Sequence, residues 1–411
     1  VDVTITNSRA LRRGGALTLQ AGSIAELTNM QLIGNSANDA AGALFAADSW
    51  LTIVDSVFAD NVVFAATLFP TTLAAGGAVM LTDSAIAITG TSFLRNSATA
   101  APSLGLVSQG AALFVVFAST VQMDCCVVAE NRADNGAVAA LGVNTIAAQY
   151  LKQIARPAIM LTATNFTSNV AYADGAALWL SSAQSASVDG CHFFNNSAAQ
   201  SAGAILAADS TVAVNASSFV RNSATAGDGG AIVVSNSAVQ IERCEFADNE
   251  CLNGGGGAVF WSTAPASIGN SISQDALTVS RNNRAAYGNA TASQNLQLVL
   301  SDSRALAIQQ QSAALVAPFF QLTLLDAFGQ TVSTGTRLIT INPTSAFTGP
   351  TTVESRAGVA LFDQLTVHQP PNSTVEISFA TTTASGVLLS TGVVTLRVAI
   401  CAAGYFHSSF S

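Results

Sequence analysis

The sequence predicts an all-β protein: a right-handed parallel β-helix of about ten rungs with three strands per rung, followed by a β-sandwich. Three observations carry the expectation. A Gly-Ala-apolar element recurs through the first 290 residues, a Phe-x-x-Asn element recurs in step with it, and both stop where a different alternating pattern begins.

The Gly-Ala element appears at Gly15, Gly42, Gly77, Gly110, Gly136, Gly175, Gly203, Gly230 and Gly257. The commonest step is 26 to 28 residues, with longer steps where loops are inserted. A fixed period of this size is the signature of a solenoid, in which each repeat buries its apolar face against its neighbours. Phe-x-x-Asn appears at Phe58, Phe93, Phe166, Phe193, Phe219 and Phe246, with degenerate copies at Leu32 to Asn35, Val128 to Asn131 and Val279 to Asn282.

Between the two elements, Ser237, Val239, Ile241, Cys244, Phe246 and Asn249 show the pattern at its clearest. Apolar residues alternate with period two, so each piece is a strand with one face turned inward. The step of three from Ile241 to Cys244 breaks that period, and a slip of one residue is what a corner requires. Three strands per turn follow, one after Gly-Ala, one at the alternating pair and one ending at Phe. Stacking at about 4.8 Å per rung gives a rod of roughly 48 Å. Gly and Ala suit converging walls and Asn suits a corner, where it tolerates left-handed backbone and bonds the Asn one rung away.

Half of the residues are apolar and only 9% are charged, which fits a narrow interior lined by Ala, Val and Phe. Lys152 is the one lysine, and the formal charge is -9. Such a chain has no cationic stripe with which to neutralise phosphates, so its composition disfavours nucleic acid and anionic membrane as partners, and none is expected. Ser97 to Met123 is free of charge, but Pro102, Gly105, Gln109 and Gly110 interrupt it and it falls on the repeat, so it is not read as a membrane span. Val1 begins inside a repeat, and the chain is read as a piece of a longer protein. Five Asn-x-Ser/Thr sequons, at Asn165, Asn195, Asn215, Asn289 and Asn372, are candidate N-glycosylation sites and lend weak support to secretion.

Gly229-Gly-Ala-Ile232 paired with Phe-x-x-Asn resembles the repeat of the chlamydial polymorphic outer membrane proteins and related right-handed β-helix proteins, over about residues 1–290. That resemblance implies surface display and adhesion. After Asn289 the alternating strands are Ser/Thr-rich. Gln321 to Gln330 and Gly358 to Val367 resemble a strand-turn and a later strand of bacterial-type and filamin-type immunoglobulin-like domains, placing a β-sandwich at residues 291–399. Cys401-Ala-Ala-Gly-Tyr-Phe406 resembles the opening of an EGF-like or ephrin-receptor-like cysteine-rich module, truncated over residues 400–411. The resemblance implies that Cys401 pairs with a cysteine further along the parent chain.

Cys126, Cys191 and Cys244 each lie five residues before the repeat Asn, in a column filled elsewhere by Ser or Thr. They are expected to be buried free thiols, with Cys244 and Cys251 the one pair considered as a disulfide. Glycosidases on this fold need paired carboxylates, and lyases need a calcium cluster with a strong base. Neither pattern is present here. The histidines His192, His368 and His407 match no metal spacing. Asp48, Asp83 and Asp209 precede the Ser that opens the second strand, so they mark turns. No cofactor or metal is expected.

Partner binding is expected where the repeat is violated, because loops vary while the core cannot. Insertions over Val62 to Ala75 and Ser97 to Gln109 fall at one corner of consecutive rungs, carrying Phe64, Leu68, Phe69 and Leu73 in the first and Leu104, Leu106 and Val107 in the second. They either form a contact patch or fold back over the solenoid wall. A third insertion, Val143 to Pro157, carries Tyr150, Lys152 and Arg156. The expected function is a non-catalytic extracellular or cell-surface module for adhesion, recognition or cell-wall and matrix structure, with surface or matrix proteins or glycans as partners. The alternative is a β-helix carbohydrate-active enzyme with an atypical site.

Overall fold

The computed structural model describes residues 2–65, 74–100, 107–141, 156–262, 271–294, 297–301, 307–310, 315–316, 319–382, 386 and 388–399. The chain divides into two compact units, Val1–Thr291 and Ala292–Ser411.

The first unit is a parallel β-helix. Its strands stack into three ten-stranded sheets and one nine-stranded sheet, each joining every fourth strand along the chain. Wall 1 runs from Val3–Thr6 to Val279–Arg281 and holds the Phe column, and wall 2 runs from Arg9–Ala10 to Arg284–Tyr287. Wall 3 runs from Leu17–Leu19 to Thr291–Ser293 and follows the Gly-Ala element, and wall 4 runs from Ile24–Thr28 to Ser271–Gln274. Ten rungs result, nine of them with four strands, one more than the sequence pattern predicts, and the last with three among the described residues. The extra strand is wall 2, which in most rungs is a pair such as Ser197–Ala198. Two residues are too short to show a period, which is why alternation cannot reveal it.

Corners are made by single left-handed residues. Arg243 (φ 52°) lies between wall 4 and wall 1, and both Ile241 before it and Cys244 after it are buried. The slip of one residue read from the sequence is this kink. Asp48, Asp83 and Asp209 occupy the matching corner between walls 3 and 4, with φ of 48°, 49° and 50°. Asp and Asn tolerate this region better than most side chains.

The repeat Asn is not itself left-handed, contrary to the expectation; the residue before it is, as at Asn195 (φ 54°) and Arg221 (φ 56°). That kink turns the Asn inward. Asn35, Asn61, Asn96, Asn131, Asn169, Asn196, Asn222, Asn249 and Asn283 form one fully buried or nearly buried column. In the tenth rung the column residue is Asn283 and its Phe-position counterpart is Ser280, one residue later than the Val279 to Asn282 reading. Asn282 is instead the left-handed corner (φ 54°).

The Gly-Ala element contains two glycine columns instead of one. Gly110, Gly136 and Gly175 hold left-handed corners near φ 60°, as do Gly76, Gly229 and Gly256. Gly42, Gly77, Gly203 and Gly230 come one residue later and are needed for close approach, since a Cβ on Gly42 would lie 2.1 Å from the Gly77 carbonyl oxygen. Ala111, Ala137 and Ala176 take that second place in the middle rungs.

Inside the solenoid, Phe166, Phe193, Phe219 and Phe246 stack with centroids 4.9, 4.6 and 4.8 Å apart. Phe58 and Phe93 stack at 5.0 Å. The rung spacing imposes this offset stack, and full burial of each ring contributes roughly 1.5 to 3 kcal/mol.

The second unit packs two larger sheets and a two-stranded one, Phe347–Thr348 with Thr366–Val367, around one core. Gln297–Leu300, Phe320–Leu325 and Val359–Phe362 form an antiparallel sheet. The other sheet comprises Ala307–Gln310, Val394–Val398, Thr374–Thr382, Leu338–Asn342 and Thr352–Glu354, with Leu388–Ser390 on its flank. Phe320, Phe362 and Phe379 meet between the sheets, with both Phe320 and Phe362 centroids 5.1 Å from that of Phe379. Gln321 to Gln330 is a strand and a turn, and the turn is tied by the buried Asp326, whose Oδ1 accepts from Phe328 N–H and Gln330 N–H at 2.9 Å. Gly358 to Val367 contains two strands, Val359–Phe362 and Thr366–Val367. Cys401 and the final segment lie outside the described residues.

Candidate functional site

The candidate site is the outer face of wall 4. Its strands alternate strictly: Leu51 and Ile53 point into the core, and Trp50 and Thr52 point out. In-register parallel pairing lines up two outward columns. Ile24 pairs with Trp50, Trp50 with Ala85, Ala85 with Thr120, Thr120 with Ala158, and Ala158 with Ser185. Beside them run Glu26, Thr52, Ala87, Gln122, Met160 and Ser187, with Glu26 outside the concavity described next.

The side chains differ in height, and that makes a groove. Ala85 and Ala87 form a low floor on the third rung, between Trp50 on one side and Gln122 and Met160 on the other. The concavity has a volume of about 660 Å³ and extends over seven rungs, from Ile24 to Thr211 and Ala213. Its lining is mostly apolar and contains no charged residue. Trp50 is 56% exposed and Met160 49%, although large apolar side chains gain by burial. Thr52, Thr120, Gln122, Ser185, Ser187 and Thr211 supply hydroxyl and amide groups along its length.

The predicted loop residues meet mixed fates. Phe64 lies on Val62–Ala65, which pairs with Ser97–Ala100 of the next rung, Phe64 opposite Thr99. The first two insertions therefore begin side by side, as their positions in the repeat imply. Phe64 is 45% exposed and Val107 40%. Leu68, Phe69, Leu73, Leu104, Leu106, Tyr150 and Lys152 lie outside the described residues. Arg156 is exposed ahead of Ala158–Thr162, at the corner between walls 3 and 4.

Asn165, Asn195, Asn289 and Asn372 are exposed. Asn215 is only half-exposed, and its amide donates to Asp189 Oδ1 at 2.8 Å while its Oδ1 accepts from Arg243. His192 points outward and its Nδ1 contacts the Ser218 hydroxyl. Comparison with family models, with curated proteins and with solved structures finds no match to this chain. What the chain can do must therefore be read from its own surfaces.

Chemistry elsewhere is muted. Cys126, Cys191, Cys244 and Cys251 are buried free thiols and Cys125 is an exposed one, so Cys244 and Cys251 are not joined. Cys251 belongs to wall 2 and its thiol faces the Gly255 carbonyl at 3.2 Å, whereas Cys244 occupies the Ser/Thr column leading into wall 1. Burial pushes Cys126 and Cys191 up to about 11 and Cys251 up to about 12. Desolvation also raises the carboxyls of Asp174 and Asp228. Asp228 is partly compensated by the Gly255 N–H, 2.8 Å from its Oδ1. Among the described residues no three His, Cys, Asp or Glu side chains converge as a metal site requires, and no helix is long and apolar enough to cross a membrane.

A second concavity of about 490 Å³ lies by the corner between walls 1 and 2, where Asp248 and Glu250 face Arg221 and Arg284. Glu250 and Arg284 approach to 3.8 Å, an exposed pair of small energetic worth.

The repeat pattern alone does not reveal the groove, although it carries a signal of it. Trp50 and Met160 occupy outward positions of a strand whose inward positions are already filled by Leu, Ile or Val. Recognising this needed the face assignment of every rung, together with the knowledge that Ala85 and Ala87 stand between them.

Proposed function

We propose that this chain is a non-catalytic recognition module of the extracellular surface kind, which engages a surface or matrix partner through the outer face of wall 4. The observation that carries the reading is the uncharged groove of about 660 Å³ on that wall. Contiguous exposed apolar surface is costly to leave in water and marks an interaction site. The same groove argues against the alternative of a carbohydrate-active enzyme, since general acid and base groups are what hydrolysis would use and none lines it.

Supporting context comes from the repeat's likeness to the polymorphic outer membrane proteins, from the immunoglobulin-like pattern of the second unit and from the start of a cysteine-rich module. Exposed sequons at Asn165, Asn195 and Asn289 suit a secreted chain, and none of them stands in the groove.

The test is capture of the full chain on cell surfaces, matrix proteins and glycans, with wild type beside Ala87→Arg. Arginine at an outward position fills the floor while leaving the core untouched. Binding to at least one surface that this substitution abolishes, in a protein of unchanged circular dichroism, supports the module. Binding that Ala87→Arg leaves unaltered places recognition elsewhere on the chain and overturns the reading.

A further inference from the structure

We infer that the wall 4 groove binds a neutral glycan chain, with Trp50 as the stacking platform. The inference rests on the recognition reading above and names the partner class.

Charge comes first. The chain carries 39 charged residues, from 15 basic and 24 acidic, yet the groove runs over seven rungs with none in its lining. A polyuronate, a sulfated glycan, a nucleic acid or an anionic headgroup would find no cation there to replace its lost hydration. A cationic peptide would find no carboxylate in the lining, since Glu26, Asp124 and Asp189 stand outside it on the same strands. A ligand without formal charge loses only the hydration of its hydroxyls, which the hydroxyl and amide groups of the groove can replace with hydrogen bonds.

Shape and chemistry narrow the class further. A sugar ring presents an apolar C–H face and an equatorial rim of hydroxyls, and the groove presents the complement of both. The Trp50 indole, 56% exposed, offers a flat apolar surface beside the low floor of Ala85 and Ala87. Thr52, Thr120, Gln122 and Ser187 stand around that floor as short-range donors and acceptors. Because the rungs repeat at about 4.8 Å, these groups recur at even intervals along the rod, which suits an extended polymer of like units more than a folded protein surface. Parallel strands also leave no free backbone N–H or C=O on the face of a sheet, so an extended peptide could not add to it by strand pairing.

The volume agrees. About 660 Å³ falls in the range of small-molecule sites, and the open length allows the chain to continue past either end. A shallow, open site of this kind gives modest affinity per unit and gains strength from a long ligand occupying several rungs.

The test uses the full chain and defined soluble polysaccharides: neutral glucan, mannan, xylan and galactan, with polygalacturonate as the charged control. Retardation in polysaccharide-containing native gels and quenching of tryptophan emission read binding. The expected result is retardation by at least one neutral polymer and none by polygalacturonate. Trp50→Ala should weaken affinity roughly threefold to tenfold, the scale of one aromatic contact, and Ala87→Arg should abolish it. Trp50→Phe should restore part of the loss, which separates stacking from a general disturbance of the wall.

Retardation by polygalacturonate as strong as by any neutral polymer would overturn the inference. So would neutral binding that neither variant alters. Capture by a matrix protein through wall 4 with no retardation by any polysaccharide would overturn the glycan inference and leave the recognition reading standing.

Discussion

Asn196 donates its side-chain Nδ2–H to Asn222 Oδ1 at 3.0 Å, and its backbone N–H reaches the same oxygen at 3.1 Å. Nδ2 also donates to the Phe166 carbonyl on the preceding rung at 3.0 Å. The amide oxygen of Asn196 in turn accepts from the side chain and the backbone of Asn169 at 2.9 and 3.0 Å. Every polar atom of this buried side chain is satisfied, which is the condition for burying it at all.

Asn196→Ala removes the acceptor of the buried Asn169 N–H along with the other bonds of that side chain. The expected cost is about 3 kcal/mol or more. It should appear as a lower urea midpoint and as faster hydrogen exchange at the Asn169 amide. An unchanged exchange rate there would show that the ladder contributes little.

Two glycines should behave very differently. A Cβ at Gly230 would stand 2.2 Å from the Gly257 carbonyl oxygen, whereas one at Gly190 (φ 60°) meets only Ala163 N at 3.9 Å. Gly190→Ala therefore carries only the left-handed backbone penalty, about 1 to 2 kcal/mol. Gly230→Ala must displace the Gly257 carbonyl and the Glu250 backbone from a rung that is not built for a Cβ, as the rungs of Ala111, Ala137 and Ala176 are, so it should melt clearly lower than Gly190→Ala. Similar melting temperatures for the two would contradict the stacking geometry.

The buried thiols make the solenoid sensitive to alkali. Their folded pKa values are raised, to about 11 for Cys191 and about 12 for Cys251, so the stability they carry is full below the ordinary thiol value near 9. It is lost as pH rises through the raised values. Stability measured between pH 9 and 12 should fall, and Cys191→Ser should lessen the fall. Serine fits that place because Ser217 holds it on the next rung, donating to the Asn215 carbonyl at 2.7 Å.

Thiol reactivity should follow exposure. In the native protein a charged disulfide reagent at pH 8 should label Cys125 and spare Cys126, Cys191, Cys244 and Cys251, since only Cys125 is exposed among them. Its thiol is itself held up by the neighbouring Asp124, so labelling should be slow and should quicken in Asp124→Asn. Labelled peptides identified by mass spectrometry would decide the order.

Asp228 tests the opposite side of the pH scale. Its folded pKa is raised by burial, so its contribution is most favourable below the ordinary carboxyl value of 3.8 and is lost as pH rises through the raised one. Asp228→Asn keeps an oxygen for the Gly255 N–H and removes the desolvated charge. The variant should melt higher than wild type at pH 7, with the gap closing toward pH 4.

The repeat, the alternation and the step of three at Ile241 to Cys244 make the solenoid legible without coordinates, because side chains at the same place in every rung face the same constraint. The Asn ladder, the Phe stack and the buried Cys column are consequences of that repetition. Less was legible at the corners. The pattern cannot say that Arg221 and not Asn222 takes the left-handed kink, nor that Gly110 and Gly203 belong to different columns, because both arrangements give the same spacing.

What the sequence by itself determined is the stack: strands, rungs and the inward face, all set by local periodicity repeated many times over. Tertiary structure alone decided the additional wall 2, the separation of Cys244 from Cys251 and the groove on wall 4. Each of these depends on which residues become neighbours across rungs 26 to 38 positions apart. The groove is a difference in height between Trp50, Ala87 and Met160, side chains brought side by side only when the chain has wound past the same face again.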